Sequence, residues 1–209
     1  MENLKRAIVI LNGNLSTQYD EYKKRVKNRP FIVTCNGGYL NSIKLNIEPD
    51  LIIGDLDSIN EVEFKNKIIF PKEKDKSDSE LAVDYLIERG FKEIEFWGAI
   101  GERIDHTLFN ISLLIKIHKE GGKGLIFHPP CFIFIINKYY KFQKRNCGIV
   151  SFYPLTFEIK NLKIKNFKYE LDSKNIYLGS SITLSNEFIG KEGEVQFDEG
   201  LLLAISESL

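Results

Sequence analysis

The sequence predicts an α/β domain with a mainly parallel, doubly wound sheet, followed by a small all-β sandwich or barrel domain. In the first 130 residues, short apolar runs alternate with helix-like stretches. These runs lack a polar–apolar alternation, which is typical of strands that are buried on both faces. After Pro129-Pro130 the helical periodicity ends, and short strands follow one another at close intervals. We therefore predict one domain over residues 1–130 and a second over residues 131–209.

Glycine, proline and asparagine mark the ends of the elements in the first domain. One helix begins at Ser77, because Ser77 and Glu80 have the spacing of a capping box, and it ends at Gly90. A second helix runs over about 105–119 and ends before Gly121-Gly122. The predicted strands are 7–11, 31–34, 51–53, 68–70, 94–97 and 125–127.

The second domain shows only strand and turn signals, which favours a sandwich or barrel. Asp198-Glu-Gly200 is typical of a hairpin turn between the last two strands. The predicted strands are 132–136, 139–142, 149–152, 157–159, 176–178, 194–197 and 201–205.

Charge and composition exclude several classes of protein. The 209 residues include 29 Lys and Arg and 29 Asp and Glu, so the net charge is zero, which argues against a generic nucleic-acid-binding protein. A hydrophobic content of 43% is enough to form a core. The first residues do not resemble a secretory signal, and no apolar run reaches the roughly 20 residues of a membrane span. Cys35, Cys131 and Cys147 lack CxxC spacing, and we expect a cytoplasmic protein.

Two aspartates follow a predicted buried strand. Asp55 and Asp57 come after the strand 51–53 and Gly54. Residues two apart in an extended segment point to the same side, and open α/β sheets bind ligands beyond the carboxyl ends of their strands. Carboxylate oxygens in this place suit Mg²⁺. The alternative is a solvated loop in which an aspartate caps a helix.

The start of the capped helix is a second candidate site. Its N-terminal N–H groups attract phosphate, Lys74 could offset phosphate charge, and Asp78 could supply another carboxylate that faces the metal. In the alternative interpretation, Ser77 is only the helix cap and the lysine lies in a solvated loop.

A glycine-rich segment follows the strand 94–97. Gly98 and Gly101 allow a close approach of the backbone to a phosphate, and Arg103 can bind a phosphate at two points. The spacing is not that of a dinucleotide-binding fingerprint, and the chain contains no P-loop.

Three further features have two interpretations each. Asp105 is either a helix cap or a catalytic group. His106 lies four residues before Asn110 on one helix face, where a structural pair is an alternative to catalysis. Gly37-Gly38 is either a turn that faces phosphate or a simple turn.

These motifs occur in one order along the chain. The order is Asn36-Gly-Gly38, the run 49–58, Asp75-Lys-Ser-Asp78 with Glu80-Leu-Ala82, and Gly98-x-x-Gly-x-Arg-x-Asp-His106. Ser185-Asn-Glu187 and Gly200-Leu-Leu-Leu203 follow near the end. Together they resemble the thiamin pyrophosphokinase (thiamin diphosphokinase) family over nearly the whole chain.

The resemblance implies an enzyme that transfers the diphosphoryl group of ATP to the hydroxyl of thiamine and releases AMP. It implies a homodimer in which the α/β domain binds ATP and Mg²⁺, and the β-sandwich domain binds thiamine and closes the site of the other subunit. The resemblance implies that Asp55, Asp57 and Asp78 bind the metal. The implied catalytic residues are these three together with Arg103 and Asp105. The implied substrate-binding residues are Asn36, Gly37, Gly38, Lys74, Ser77, Gly98, Gly101, Arg103, His106, Ser185 and Asn186, the last two toward thiamine.

The chain departs from the family pattern in three places. The family usually has Asp-Gly-Gly where this chain has Asn36, which keeps a side-chain oxygen but lacks the charge. The segment 166–171 has Asn and Phe where Gly-Leu is common, and no arginine precedes Ser185. Two alternatives therefore stand beside the main hypothesis. One is a diphosphokinase for another small alcohol such as a hydroxymethylpterin, and the other is a non-catalytic nucleotide- or thiamine-binding module.

Overall fold

A computed structural model describes residues 5–55, 64, 66–144 and 148–207. The chain forms two compact units, Met1–Pro129 and Pro130–Leu209. Within the described residues, the first contains a parallel sheet with helices and the second contains antiparallel strand pairs without helices, so the predicted fold class is confirmed. Within the described residues, no helix is long and apolar enough to cross a membrane.

Every described strand pair in the sheet of the first unit is parallel. Its spatial order is β6-β5-β1-β2-β3-β4, so the chain runs outward from β1 to β4 and returns to the other side of β1 with β5. The point between β1 and β5, where the direction of winding changes, is where such sheets bind ligands. The strands are β1 (Arg6–Ile10), β2 (Phe31–Cys35), β3 (Leu51–Gly54), β4 (Lys67–Ile69), β5 (Glu93–Trp97) and β6 (Lys123–His128).

The helices accompany this sheet. The capping box is confirmed, because the Ser77 side chain accepts a hydrogen bond from the Glu80 N–H at 3.2 Å. The first and second helices along the chain were not identified individually from the sequence, since they have only seven and eight residues. The helices are α1 (Tyr19–Arg25), α2 (Gly38–Leu45), α3 (Asp78–Glu88) and α4 (Ile104–Lys119).

The central strands are buried on both faces, as their unbroken apolar runs predict. Ala7, Ile8, Val9 and Ile10 of β1 are all fully buried. Next to them, the side chains of Tyr22, Trp97 and Phe127 make edge-to-face contacts. The core of this unit therefore continues from the sheet to α1.

A buried carboxylate joins α1 to the sheet. Glu95 of β5 is only 3% exposed, and it accepts hydrogen bonds from Arg6 Nη2 at 2.8 Å, Arg25 Nη2 at 2.6 Å and Trp97 Nε1 at 2.7 Å. Arg25 also lies over the Phe127 ring. A buried charge is tolerated only with such partners, so these side chains depend on one another.

The second unit is built from two antiparallel sheets, ordered β12-β9-β14-β7 and β11-β10-β13-β8. Buried and accessible residues alternate along β9 and β13, as expected for strands with one buried face. Phe142, Phe152, Phe167 and Phe188 fill the core between them. The strands are β7 (Cys131–Ile136), β8 (Tyr139–Gln143), β9 (Ile149–Pro154), β10 (Glu158–Lys165), β11 (Leu171–Tyr177), β12 (Asn186–Glu187), β13 (Glu192–Gln196) and β14 (Leu202–Ser206).

The predicted hairpin at Asp198-Glu-Gly200 is wrong. The strand before it, β13, pairs with β8 and β10, whereas the strand after it, β14, pairs with β7 and β9. The segment therefore crosses from one sheet to the other, a choice that turn residues alone do not determine.

Candidate active site

A cavity of about 550 Å³ lies in the first unit, at the carboxyl ends of β1, β2 and β5. This is the edge at which the winding of the sheet reverses, and open α/β sheets bind their ligands at such an edge. The lining comes from segments 11–14, 35–37, 77–79, 98–99 and 101–103, and from His106, Thr107 and Asn110 of α4.

Two loops meet backbone to backbone at the rim of this cavity. The Gly13 N–H donates to the Gly98 carbonyl at 2.8 Å, and the Asn14 N–H donates to the Ile100 carbonyl at 2.7 Å. A Cβ atom at Gly13 would lie 2.5 Å from the Ile100 carbonyl oxygen. Gly98 has φ +63°, a conformation that favours glycine. These glycines therefore serve the contact between the loops, and both also line the cavity.

The loop after β1 also forms hydrogen bonds with side chains of α1, α2 and β6. The Ser16 N–H donates to the Tyr22 hydroxyl at 3.2 Å, and burial raises the pKa of Tyr22 to about 12. His128 forms a hydrogen bond with the Asn14 backbone, and burial nevertheless lowers the pKa of His128. Asn41 Nδ2 donates to the carbonyl of Gly13 at 2.9 Å. The loop is therefore positioned by side chains from three different elements.

The turn after β2 contacts the first predicted aspartate. Asn36 adopts φ +43°, in the left-handed region that asparagine tolerates better than most residues. Its Nδ2 donates to Asp55 Oδ1 at 2.9 Å. Asn36 and Gly37 line the cavity, whereas Asp55 contacts Asn36 without itself lining the cavity. Asp57 lies outside the described residues.

The start of α3 brings Asp78 to the same edge. The backbone carbonyl of Asp78 accepts a hydrogen bond from the Cys35 thiol at 3.5 Å, and Cys35 is the neighbour of Asn36. Burial, reinforced by the Asp78 charge, raises the pKa of Cys35. Ser77 and Asp78 line the cavity, and Lys74 Nζ lies 2.6 Å from Asp78 Oδ1.

Arg103 and Asp105 form a pair at the start of α4. The guanidinium donates to both carboxylate oxygens, at 3.0 and 2.6 Å, and it holds the pKa of Asp105 well below its usual range. Both side chains are exposed, and Arg103 alone of the two lines the cavity. Asp105 does not cap the helix, because the N-cap position belongs to Arg103. The pair orients the guanidinium at the mouth of the cavity.

The inner turn of α4 holds the glycine-rich loop. Thr107 Oγ1 accepts a hydrogen bond from the Gly101 N–H at 3.2 Å, and Asn110 Nδ2 donates to the Ala99 carbonyl at 2.9 Å. Asn110 is 5% exposed, so its contact with Ala99 is a buried one. His106 lines the cavity on the same helix.

Comparison with known proteins identifies the family. The catalytic-domain profile of thiamin pyrophosphokinase matches residues 22–125, and the profile of its vitamin B1 binding domain matches residues 136–202. This chain belongs to the thiamin pyrophosphokinase family. It is 33% identical over 178 residues to thiamine pyrophosphokinase of Bacillus subtilis, covering 80% of this chain and 83% of that protein. It is 24% identical over 172 residues to thiamin pyrophosphokinase 1 of Caenorhabditis elegans, covering 75% and 70%.

Solved structures agree with this family. The crystal structure of thiamine pyrophosphokinase from Bacillus subtilis superimposes with a TM-score of 0.86 at 28% identity, covering 96% of this chain and 98% of that one. Thiamin pyrophosphokinase from Candida albicans has a TM-score of 0.78 at 18% identity, covering 97% and 89%, and shows that the fold is shared. This member of the thiamin pyrophosphokinase family therefore matches these two structures over nearly its full length.

Some predicted site residues of this family member do not line the cavity. Gly38 is buried, and a Cβ there would lie 2.8 Å from the Ile10 carbonyl carbon, so it allows α2 to pack closely on β1. Ser185 and Asn186 belong to the second unit. Ser185 is exposed, with its N–H donating to Ser151 Oγ at 2.9 Å.

Asn186 is 1% exposed, and its side chain both accepts a hydrogen bond from the backbone of Tyr169 and donates one to it. Its Oδ1 accepts from the Tyr169 N–H at 2.9 Å, and its Nδ2 donates to the Tyr169 carbonyl at 2.8 Å. This geometry gives Asn186 a structural role within the second unit. Its predicted contact with thiamine stays a prediction.

Sequence reasoning missed the loop after β1 and Thr107 of α4. Asn12, Gly13 and Asn14 follow a buried parallel strand, so the rule that identified Asp55 applies to them equally. Thr107 carries no such signal, because its function is a hydrogen bond with a distant loop that only the fold brings near.

Proposed function

We propose that this protein transfers the diphosphoryl group of ATP to the hydroxyl of thiamine, giving thiamine diphosphate and AMP. The observation that carries this proposal is the match of both family domains to one chain, with the cavity located in the unit that matches the catalytic domain. ATP is the co-substrate in this family. We assign the ATP-binding site to the cavity of the first unit and thiamine recognition to residues of the second.

Mg²⁺ is the metal that we propose at this site. The Asp55 carboxylate accepts a hydrogen bond from Asn36, and the backbone carbonyl of Asp78 accepts one from Cys35, so both aspartates lie beside the end of β2. Asp78 also lines the cavity. Mg²⁺ in proteins takes one or two carboxylates together with substrate phosphates and water, which fits this pair. The described residues contain no group of three His, Cys, Asp or Glu side chains that could by itself hold a metal ion, and Asp57 is the third ligand that we propose. The metal would neutralise phosphate charge.

The residues of the chain supply binding and orientation. The N-terminus of α3 presents N–H groups toward an anion, and Lys74 adds positive charge beside it. Arg103, held by Asp105, presents its guanidinium at the mouth of the cavity to developing phosphate charge. Gly13 and Gly98 keep the rim free of side chains. Diphosphoryl transfer needs mainly positioning and charge stabilisation, and these groups provide both.

The test is a product assay with ATP, Mg²⁺ and thiamine. We expect equimolar AMP and thiamine diphosphate, and we expect Asp57→Asn and Asp55→Asn to abolish turnover, since a neutral amide cannot replace a charged metal ligand. Asp20→Asn, a change of the same kind on the exposed start of α1, should retain full activity. AMP release with a hydroxymethylpterin but not with thiamine would favour the alternative acceptor. Binding of ATP or thiamine without AMP release would favour a non-catalytic module.

We further propose a homodimer in which the second unit of one subunit completes the site of the other. Exposed apolar side chains support an interface on each unit. Ile104 and Leu108, one turn apart on α4, are 71% and 63% exposed. Ile149 and Tyr153 are exposed on the same face of β9. Twofold pairing of identical surfaces is the commonest form of oligomer.

Subunit exchange tests the shared site. We would mix two inactive variants, Asp55→Ala and Ser185→Ala, choosing Ser185 because Asn186→Ala would remove several buried hydrogen bonds. In a mixed dimer with shared sites, one site carries both lesions and the other carries none, so up to half of the sites should recover. Heterodimers without recovered activity would mean that each site is built within one chain.

The cellular location is a separate proposal. A cytoplasmic enzyme is consistent with the buried thiol of Cys35.

A further inference from the structure

Lys74 and Asp78 form a shielded ion pair beside the cavity. Lys74 Nζ lies 2.6 Å from Asp78 Oδ1, and the two side chains are only 16% and 20% exposed. Asp78 is the first residue of α3, and Lys74 lies four residues before it. Among the residues that the structure describes, no hydrogen bond of ordinary geometry reaches Asp78 Oδ1. The contact is therefore mainly one between charges.

This pair lies where the proposed metal would bind. The backbone of Asp78 contacts Cys35, whose neighbour Asn36 holds Asp55. The charges of Asp78 and Lys74 both act on Cys35, with opposite effects on the pKa of its thiol. Asp78 lines the cavity, so its carboxylate is at the edge that a ligand reaches.

Asp78 carries a single negative charge, and Lys74 and a divalent cation would have to share it. Mg²⁺ binds its oxygen ligands at about 2.0–2.1 Å, and an ammonium group 2.6 Å from the same oxygen would face a divalent charge at short range. Like charges at that distance repel strongly in a partly shielded site. A divalent cation bound to Asp78 would therefore weaken the attraction between its carboxylate and the ammonium group, and it would favour departure of Lys74 from Oδ1. A lysine has a flexible stem, and the phosphates that accompany the metal are a new anionic partner for it.

We propose that Lys74 is the counter-ion of Asp78 in the metal-free protein and moves to the phosphates of ATP when the metal binds. This inference rests on the proposed function, in which Asp78 is a metal ligand. It makes Lys74 and the divalent cation competitors for one carboxylate. ATP removes the competition by offering Lys74 a second partner, so metal and nucleotide each increase the affinity for the other.

The experiment measures metal binding without turnover. Mn²⁺ serves as the probe, and the free Mn²⁺ is followed by electron paramagnetic resonance in the absence of nucleotide. Lys74→Met removes the competing charge, so we expect about a tenfold higher Mn²⁺ affinity, together with weaker binding of ATP in the absence of metal. Lys74→Arg keeps the charge and should retain the wild-type Mn²⁺ affinity.

Lys76→Met is the matched control. Lys76 lies two residues away and pairs instead with Asp84 at 2.8 Å, so its removal should leave the Mn²⁺ affinity unchanged. Thermal unfolding of each variant verifies that it is folded. If the Lys74→Met variant is less stable than the wild-type protein, the Lys74→Gln variant is used instead. Glutamine is uncharged, has a similar length and keeps polar character.

The Asp78→Asn variant distinguishes failure of the proposed metal site from failure of the proposed competition between Lys74 and the metal. If Asp78→Asn leaves the Mn²⁺ affinity unchanged, Asp78 is not a ligand, and the proposed metal site is wrong. If Asp78→Asn weakens Mn²⁺ binding while the neutral Lys74 variants bind Mn²⁺ no more tightly than wild type, the metal site stands and the competition is overturned.

Discussion

The substitution Asn36→Asp tests the electrostatics of the proposed metal site. In the structure, Asn36 Nδ2 donates to Asp55 Oδ1 at 2.9 Å. Aspartate has nearly the same shape, and it tolerates the left-handed backbone at this position. The main effect of the substitution is therefore electrostatic. It replaces the N–H donor of Asn36 by a carboxylate oxygen, so the hydrogen bond to Asp55 becomes a repulsion between two carboxylates.

The magnitude follows from the distance between the two groups. Two unit charges about 4 Å apart repel by about 1 kcal/mol in water and by about 4 kcal/mol at an effective dielectric constant of about 20. Loss of a hydrogen bond to a charged acceptor contributes about 1.5–3 kcal/mol. Because Asn36 and Asp55 are half-buried, we expect the free energy of unfolding to fall by about 2–5 kcal/mol without metal.

The assay is thermal unfolding in EDTA and in saturating Mg²⁺. A divalent cation offsets the repulsion between two carboxylates, so the variant should gain more stability from Mg²⁺ than the wild-type protein does. In EDTA the deficit should shrink as the pH falls from about 7 to about 4, because protonation of one carboxyl removes the repulsion. The stability deficit is therefore present at neutral pH and lost on acidification.

Asn46→Asp is the control for the chemical change itself. Asn46 has φ +55° at the end of α2 and is exposed, so the same substitution there should show no Mg²⁺-dependent stabilisation. The reasoning is refuted if Asn36→Asp unfolds at the wild-type temperature in EDTA, or if Mg²⁺ raises the unfolding temperature of both aspartate variants equally.

Three further predictions concern the scaffold of the site. Glu95→Gln should lower the free energy of unfolding by about 3–5 kcal/mol in urea titrations, because two arginines lose their buried partner, and a loss below about 1 kcal/mol would contradict this. Gly38→Ala should destabilise the fold by about 1–3 kcal/mol through its clash with the backbone of β1, while an unchanged unfolding midpoint with weaker ATP binding would restore the predicted binding role. His128 has a pKa below the ordinary 6.5, so the unfolded chain takes up the proton first and stability should decrease as the pH falls below about 6.5. A His128→Asn variant should lose this part of the pH dependence, as measured by unfolding at a series of pH values.

Much of the first unit follows from local pattern. The run from Ala7 to Ile10 is apolar at every position, and a strand with this property needs cover on both faces, which in turn requires a parallel sheet flanked by helices. Ser77 and Glu80 specify the start of α3 through a hydrogen bond between near neighbours. Asp55, Asp78 and Arg103 were identifiable as candidates, since each comes directly after a strand or at the start of a helix.

The contacts between these candidates depend on tertiary structure. The order of the strands brings the end of β2 next to β3 and α3, and only this order places Asn36 against Asp55 and Cys35 against Asp78. The crossing at Asp198 shows the same limit, because a turn sequence does not state which sheet the next strand joins.

The sequence by itself thus determined most of the strands, the helices α3 and α4, and the residues that follow them, because these properties depend on neighbours within a few positions. The short helices α1 and α2 were not identified in this way. Only the tertiary structure decided that Gly38 packs on β1, that Asn186 bonds Tyr169, and that Asp105 orients Arg103 without facing the cavity. A side chain acts on whatever the fold brings within about 3 Å of it, and that partner is set by the packing of whole elements.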